Sequence, residues 1–364
     1  MTNVSTATSH LARAHDLAPS AAGLLDAPSP ASHHAAATST TMRALLQTGY
    51  GTTDVLQVGT TARPRPGKGE VLVKVRAAGL DRGTWHLMTG RPYLMRIMGF
   101  GFRRPKNPVA GLDLAGTVAE VGPGVTRFAV GDEVCGIGAG SFAEYARARE
   151  DRLVHKPARL SFEQAAVLGV SGGTAHQALE AGRLRAGERV LVIGASGGVG
   201  TFAVQLAKAR GAEVTGVCRT EKVDLVRSVG ADHVVDYTRQ DLADTARGHD
   251  LVIDIGGNTP LARLRRTMTP TGRLVFVGGE HGGDWTEGMG RPLGALLRSP
   301  FVRQRFLMLA SKEHFSHLQP VAALAEEGKV TPVIDRRCPL AGVVDALRDL
   351  EAGLVRGKVV VELQ

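Results

Sequence analysis

The residues best suited to chemistry form a glycine-rich run, GASGGVG, at 194–200. Its spacing is Ala195-x-Gly197-x-x-Gly200, which is the G-x-G-x-x-G pattern of dinucleotide-binding turns with Ala in place of the first glycine. Glycines in such a turn permit a tight bend, let backbone N–H groups approach a pyrophosphate and let the next helix pack closely on the strand. The helix N-terminus adds partial positive charge. The run predicts a dinucleotide phosphate site.

A second group of residues bears on which dinucleotide would bind. NAD enzymes usually place Asp or Glu about 20 residues past the glycines, at the end of the second strand, to bind the ribose hydroxyls. Here that strand ends GVCRTEK, so Cys218, Arg219 and Thr220 stand where the acid would be. Arg219 and Lys222 could neutralise a 2′-phosphate, and we expect NADPH. The alternative is that both are surface residues at a helix start.

Strands and helices alternate around this run, as a phosphate-binding turn requires. The strand ERVLVIGA precedes the turn, and the segment 199–211 reads as a helix closed by Gly211. A second helix is expected over 220–230. Further strands at 233–237, 250–255 and 273–279 predict a doubly wound parallel sheet with right-handed crossovers.

The preceding part of the chain has a different pattern, in which short β-like runs are divided by Gly and Pro. Examples are EVLVKVRAAGL (70–80), AGTVAEVG (115–122) and GDEVCGI (131–137), and they predict mostly antiparallel structure. A helix should begin after Ser161, which can form a capping box with the Gln three residues on. Residues 1–41, rich in Ala, Ser, Thr and His, read as a disordered extension.

Composition excludes several classes of protein. The chain has 364 residues and a net charge of +9, and its Lys and Arg residues are scattered without a run of five, which is typical of a solvated surface. No stretch approaches the ~18 apolar residues of a membrane span. The three cysteines form no CxxC pair, so we expect neither disulfides nor a structural zinc site, and we expect a reducing, cytoplasmic setting.

Taken together, these segments resemble the medium-chain dehydrogenase/reductase superfamily, and specifically its zinc-free NADPH:quinone oxidoreductase branch. The resemblance implies an α/β fold in which a GroES-like β-rich catalytic domain (42–165, completed by 330–364) is interrupted by a Rossmann domain (166–329). The active site would lie between them, and relatives are often homodimers. The segments that carry the likeness are AAGLDRGTWHLMTG (77–90), PVAGLDLAGTVAEVGPGVTRFAVGDEVCG (108–136), SGGTAHQAL (171–179), residues 194–237, GRLVFVGG (272–279) and GKVVVEL (357–363).

The resemblance also implies a set of cofactor contacts. Lys222 and Tyr237 match residues that hold the 2′-phosphate, Thr174 matches a threonine near the nicotinamide, and three residues at strand ends would line the nicotinamide pocket. The predicted cofactor-binding residues are Thr174, Ala195, Ser196, Gly197, Gly198, Val199, Gly200, Cys218, Arg219, Lys222, Tyr237, Gly256, Val277 and Gly278.

The zinc ligands of the superfamily's zinc branch are replaced in this sequence. Asp81 stands where that branch has a Cys, and Leu112 and Asp113 replace its His-Glu pair. One Asp with distant histidines does not make a catalytic zinc site with three ligands, so we expect no metal. Without a Lewis acid for an alkoxide, hydride transfer from NADPH to a quinone or an α,β-unsaturated carbonyl is the predicted reaction.

Asp81, His86 and Tyr93 are the polar candidates for orienting this small-molecule acceptor or relaying a proton. Asp81 could equally be a helix cap, since DRGTWHLM looks like a helix start. Alternative functions are an NAD(P)-dependent alcohol dehydrogenase, or an enoyl-thioester reductase whose basic 298–312 stretch meets an acyl carrier. A relative that binds RNA is a third reading, but no basic patch interleaved with aromatics supports it.

Overall fold

The computed structural model describes residues 40–93, 96–97, 101–278, 294–295 and 302–363. The predicted N-terminal extension therefore lies outside the described residues, apart from its last two positions. No helix among the residues described is long and apolar enough to cross a membrane. The described residues all belong to one compact unit.

Fifteen strands and nine α-helices are found within the described ranges. The strands are β1 Thr41–Gln47, β2 Leu56–Ala62, β3 Glu70–Leu80, β4 Asp113–Val121, β5 Glu133–Ile137, β6 Tyr145–Arg149, β7 Leu153–His155, β8 Arg189–Ile193, β9 Glu213–Cys218, β10 His233–Asp236, β11 His249–Asp254, β12 Met268–Phe276, β13 Arg305–Met308, β14 Ile334–Pro339 and β15 Lys358–Glu362. The helices are α1 Arg82–Thr89, α2 Phe162–Ala165, α3 Gly169–Ala181, α4 Gly198–Ala209, α5 Val223–Ser228, α6 Leu242–Thr245, α7 Leu261–Thr267, α8 Phe315–Glu326 and α9 Val343–Glu351.

A seven-stranded, mostly antiparallel sheet joins early and late parts of the chain. Its order is β14-β15-β3-β4-β5-β7, with β6 also paired to β3, and a separate hairpin is formed by β1 and β2. Strand β15 runs antiparallel to β3, with Val360 opposite Gly79, and β14 runs parallel to β15. The late strands thereby complete the sheet that the early strands begin.

A six-stranded sheet has the order β10-β9-β8-β11-β12-β13, and all its pairings are parallel. Strand β8 lies in the middle, and the strand order reverses on either side of it. Open α/β sheets bind ligands at such a switch point, beside the carboxyl ends of the strands. The predicted α/β class, with a GroES-like part and a Rossmann part, is confirmed.

Buried helices hold the parallel sheet in place. Residues 200–207 of α4 are all buried, including Phe202 and Leu206, since the helix packs on the sheet and also against α3. Burial of each such large apolar side chain contributes about 1.5–3 kcal/mol. Gly211 ends the helix with a left-handed φ of 78°, as the sequence predicts.

Two local predictions have clear outcomes. Ser161 and Gln164 form the expected capping box at the start of α2. The helix predicted over 220–230 is shorter than expected, because residues 220–222 form a 3-10 turn and α5 covers only Val223–Ser228. The Thr220 hydroxyl donates to Asp236 on the neighbouring strand, which holds this turn against the sheet.

Candidate active site

The glycine-rich turn connects β8 to α4 at the carboxyl end of the parallel sheet. Gly194 has a φ of 87°, a conformation that side chains disfavour, and its carbonyl accepts a hydrogen bond from Gly197 N at 3.1 Å. A Cβ on Gly200 would lie 2.1 Å from that same carbonyl oxygen. Ala195 is tolerated as the first residue of the pattern because its methyl group faces Gly216 on β9, where a Cβ would stand 3.1 Å away.

The N-terminus of α4 is open to an anion. Gly197 occupies the N-cap position and no side chain caps the helix, so N–H groups of the first turn have no intrahelical carbonyl to bind. With Ser196, Gly198 and Val199 they form a backbone surface suited to phosphate oxygens. The turn is also held from outside the motif, since Gly357 N donates to Ser196 O at 2.9 Å.

A buried network of charged and polar side chains packs against the glycine-rich turn. The ammonium of Lys358 donates to Asp113 Oδ2 and to Ser171 Oγ, both at 3.1 Å, and Asp113 Oδ1 accepts from Val170 N at 2.6 Å. A Cβ on Gly198 would lie 2.8 Å from Lys358 Cδ. Burial raises the pKa of Asp113 to about 7, against the opposing effect of the Lys358 charge.

The residues predicted to read a 2′-phosphate lie together at the end of β9. Cys218 is buried, and burial raises the pKa of its thiol to about 11. The Arg219 Nε donates to the Tyr237 hydroxyl at 3.4 Å. Lys222 is 8% exposed and donates to Gly353 O and Val355 O at 2.7 and 2.6 Å. Lys222 is therefore not a surface residue, and since its ammonium already binds two backbone carbonyls, its contact with a 2′-phosphate stays a prediction.

The predicted nicotinamide-pocket residues follow the two neighbouring strands. Gly256 comes after β11 and its N–H donates to Ile193 O at 3.3 Å, beside the turn. Val277 and Gly278 come after β12, and both donate to Asp254 O. Since a Cβ on Gly194 would lie 3.2 Å from Gly256 N, these strand ends and the turn share one edge.

The three predicted catalytic side chains are placed around α1. Asp81 is 4% exposed and caps the helix by accepting from Thr84 N at 2.8 Å, so the helix-cap alternative is confirmed. Its Oδ2 is buried without a hydrogen-bond partner among the residues described. His86 Nδ1 lies 3.1 Å from Arg91 O, and the Tyr93 ring stacks on Arg96. A role for these three toward an acceptor stays a prediction.

A cleft with two cavities, named the inner and the outer cavity, is formed by residues that are partly shared between them, and α3 lines the inner one. The inner cavity, about 140 Å³, is lined by Thr174 and by apolar side chains such as Leu112 and Val170. The outer cavity, about 520 Å³, opens toward residues 105–111. The residues that line both are Leu112, Arg152, Ser311 and Glu313. Asp81, His86 and Tyr93 do not line either one.

The segment 311–313 forms one wall of the cleft and is fixed to α3 by Gln177. The Gln177 amide accepts from Lys312 N at 2.9 Å and donates to Ser311 Oγ and Lys312 O, both at 3.1 Å. Across the cleft, Arg152 Nη1 pairs with Glu313 Oε2 at 2.5 Å. The sequence did not indicate that Arg152, Gln177 and the 311–313 segment form a site, because none of them belongs to a recognisable motif and only the fold brings them together.

Comparisons with known proteins agree with this architecture. Residues 67–158 match the family model described as alcohol dehydrogenase GroES-like domain, and 229–361 match the one described as zinc-binding dehydrogenase. A chloroplastic quinone oxidoreductase of Triphysaria versicolor is 32% identical over 88% of this chain and 98% of its own length. The chain belongs to the quinone-oxidoreductase branch of the medium-chain dehydrogenase/reductase superfamily.

Other members of the superfamily support the same placement. The chloroplastic NADPH-dependent alkenal/one oxidoreductase of Arabidopsis thaliana is 31% identical over 88% of this chain and 79% of its own length. The solved structure of the Coxiella burnetii quinone oxidoreductase superposes with a TM-score of 0.78 at 28% identity, covering 89% of this chain and all of that one. The predicted family and its oxidoreductase class are confirmed.

One of the matching family models is described as zinc-binding, so the residues at the corresponding positions of this chain can be tested for their ability to bind zinc. Asp81 is committed to capping α1, Leu112 is apolar, and Asp113 is paired with Lys358. No group of three or more His, Cys, Asp or Glu side chains able to hold a metal ion occurs in the part of the chain that the structure describes. These residues do not fit a catalytic zinc site.

Proposed function

We propose that this protein transfers hydride from NADPH to a quinone or an α,β-unsaturated carbonyl, without zinc. The observation that carries the proposal is the position of helix α3. Its Ser171 lies under Gly198 of the cofactor turn, where a Cβ would stand 3.0 Å from the Ser171 hydroxyl, while its Thr174 lines the inner cavity. One helix thereby joins the phosphate site to the inner cavity.

Each part of the site would then have a separate task. Bound NADPH supplies the hydride. The N-terminus of α4 holds the pyrophosphate, and Arg219 and Tyr237 hold the 2′-phosphate. The apolar lining excludes water from the acceptor, while the hydroxyls of Thr174 and Ser311, 3.3 Å apart, can donate hydrogen bonds to its carbonyl oxygen. Asp81, His86 and Tyr93 do not line either cavity, and their role in orienting the acceptor or relaying a proton stays a proposal.

The preference for NADPH is tested at Arg219. We expect Arg219→Ala to raise the KM for NADPH roughly tenfold or more, because a charge-assisted contact to the 2′-phosphate is lost. The KM for NADH, which lacks that phosphate, should change much less. Arg227→Ala, which removes an exposed arginine on α5 paired with Asp224, serves as the matched control. Equal effects of Arg219→Ala on both cofactors would contradict the assignment.

The reaction itself is tested by NADPH oxidation against matched panels of quinones, enones, enoyl thioesters and aldehydes, with metal analysis of the same preparation. Turnover on quinones or enones by zinc-free protein is the expected result. A preference for enoyl thioesters or aldehydes would favour the corresponding reductase or alcohol dehydrogenase. RNA retention with saturating NADPH and no turnover on any acceptor would overturn the proposal.

We also propose a homodimer in a reducing compartment. Among the residues described, strand β13 is an edge of the parallel sheet, so its outer hydrogen-bonding groups can pair with a second copy of the same strand. All three cysteines are free thiols, and two of them are buried. Light scattering at several concentrations would measure the oligomeric state, and a monomer throughout would rule out the pairing.

A further inference from the structure

The charged residues that line the two cavities, together called the cleft mouth, carry more positive than negative charge. Arg152 and Glu313 line both cavities, Lys312 lines the inner one and Lys106 the outer one. Among the residues described, the two linings together hold three cations, Arg152, Lys312 and Lys106, and one carboxylate, Glu313, and only Arg152 and Glu313 stand where the linings overlap. A quinone or simple enone is neutral, so hydride transfer to it does not explain this excess of positive charge.

The Arg152–Glu313 pair is close but partly exposed. Its nitrogen and oxygen lie 2.5 Å apart, and the side chains are 40% and 37% exposed. Pairs of this kind contribute only about 0–1 kcal/mol, since water solvates both partners well when they separate. An incoming anion could therefore replace Glu313 at the guanidinium at small cost, and a planar guanidinium can offer two donors to a ligand carboxylate or phosphate.

The backbone around Glu313 is fixed, so the exchange needs only a side-chain rotation. Gln177 holds residues 311 and 312 through three hydrogen bonds, and His314 caps the start of α8 by accepting from Ser316 N. His317 adds little positive charge to the inner cavity, since burial and the nearby His314 and Lys312 lower its pKa.

The cofactor phosphates do not account for these charges. Neither cavity is lined by any residue of the 194–200 turn or by Arg219, Lys222 or Tyr237. The cations at the mouth therefore face the space for the acceptor and its tail.

We infer that the cleft mouth is a subsite for an anionic group, a carboxylate or a phosphate, on the tail of the acceptor. Arg152 binds this group, Glu313 is the internal carboxylate that it displaces, and Lys312 and Lys106 add favourable potential. The inner cavity takes the reducible ring or enone, and the outer cavity takes the tail. The inference rests on the proposed function and names its substrate class more closely.

The test compares three acceptors that share one benzoquinone ring. Their side chains end in a carboxylate, a phosphate monoester or a neutral amide of matched length. The measurement is kcat/KM for each at saturating NADPH, expressed as the ratio of the charged to the neutral acceptor. Comparing the carboxylate and phosphate arms shows which anion the subsite prefers.

We expect wild-type protein to favour a charged acceptor, and Arg152→Gln to lower the ratio roughly tenfold, because the ligand anion loses its guanidinium. Glu313→Gln should raise the ratio roughly three- to tenfold, since the competing carboxylate is gone. Added salt should reduce the wild-type preference, because the mouth is exposed and ions screen it. Arg149→Gln, on the same segment and paired with Asp151 outside both cavities, is the matched control.

Ratios that stay the same in Arg152→Gln and Glu313→Gln would overturn the inference, as would an equal loss on charged and neutral acceptors. These outcomes leave turnover of the neutral quinone by wild-type protein in place. Failure of the proposed function looks different, because no acceptor would then oxidise NADPH in any variant.

Discussion

The cofactor edge and the acceptor cleft are built in opposite ways. At the edge proposed to bind the cofactor, backbone groups form the surface, and the space is so tight that a single methyl group on Gly200 would overlap a carbonyl oxygen. At the cleft, side chains from separate segments enclose cavities of about 140 and 520 Å³. Substitutions at the first should act on folding and cofactor affinity, and those at the second on the choice of acceptor.

The largest effect is expected at the buried ion pair beneath the cofactor turn. Lys358→Met leaves the fully buried Asp113 without its cation, which should cost about 3–5 kcal/mol of unfolding free energy in urea titrations. Adding Asp113→Asn should recover much of this loss. Lys329→Met, which breaks an exposed pair with Glu327, should cost about 0–1 kcal/mol. Equal losses of unfolding free energy for the two lysine substitutions would show that burial does not determine how much each ion pair contributes to stability.

The next effect separates two glycines of one turn. In Gly200→Ala the new Cβ would meet Gly194 O at 2.1 Å, so we expect about 1–3 kcal/mol of lost stability or more, seen as a lower Tm. In Gly197→Ala the nearest atom is 3.5 Å away, so the Tm should hold. NADPH should bind more weakly, because the second glycine of such a motif lets the backbone approach the pyrophosphate. Matching Tm losses would contradict this division.

A further effect concerns pH. Since the pKa of Asp113 is raised to about 7 in the folded protein, the folded state binds a proton that the unfolded state releases near pH 4. The contribution of Asp113 to stability is therefore greatest below pH 4 and is lost as pH rises toward 7, with a slope of at most about 1.4 kcal/mol per pH unit. Unfolding free energies measured across this range should vary less steeply in Asp113→Asn; an unchanged slope would exclude Asp113 as its source.

The smallest effect should appear at Gln177. Gln177→Leu releases the 311–313 wall, and we expect kcat/KM for the acceptor to fall roughly three- to tenfold while the Kd of NADPH stays within about twofold, since three modest hydrogen bonds are lost. Gln205 makes the same arrangement of bonds to Thr201 and Thr331 away from the cleft, so Gln205→Leu controls for loss of stability. Equal decreases of kcat/KM for the acceptor in Gln177→Leu and Gln205→Leu would show that the 311–313 wall has no specific role in acceptor binding.

Local features of this chain could be predicted from the sequence because their causes lie within a few residues. The turn at 194–200, the helix closed by Gly211 and the capping box at Ser161 all follow from backbone geometry and short spacing. The parallel pairing of these strands followed from the alternation of strands and helices, whereas their order in the sheet was not predicted. The helix cap at Asp81 was predicted as one of two readings, and the geometry of α1 supports it.

Features built from distant segments could not be predicted in this way. The Asp113–Lys358 pair, the enclosure of Lys222 and the Arg152–Glu313 pair each join segments far apart in the sequence. No local pattern distinguishes these side chains from exposed ones, because only the packed sheets decide which are buried. The 298–312 stretch lies partly outside the described residues, and its described end supplies β13 and leads into the cleft wall.

The hydrogen bond from Gly357 to Ser196 has a consequence for the order of folding. Strands β8 to β12 can pair through short crossovers, whereas this contact must wait for a segment that is remote along the chain. Contacts between remote segments form slowly, because the chain loses entropy on closing the loop before the contacts contribute stabilising free energy. Tight NADPH binding should therefore be acquired late in refolding. Cofactor affinity would then indicate that both sheets have formed, and not the parallel sheet alone.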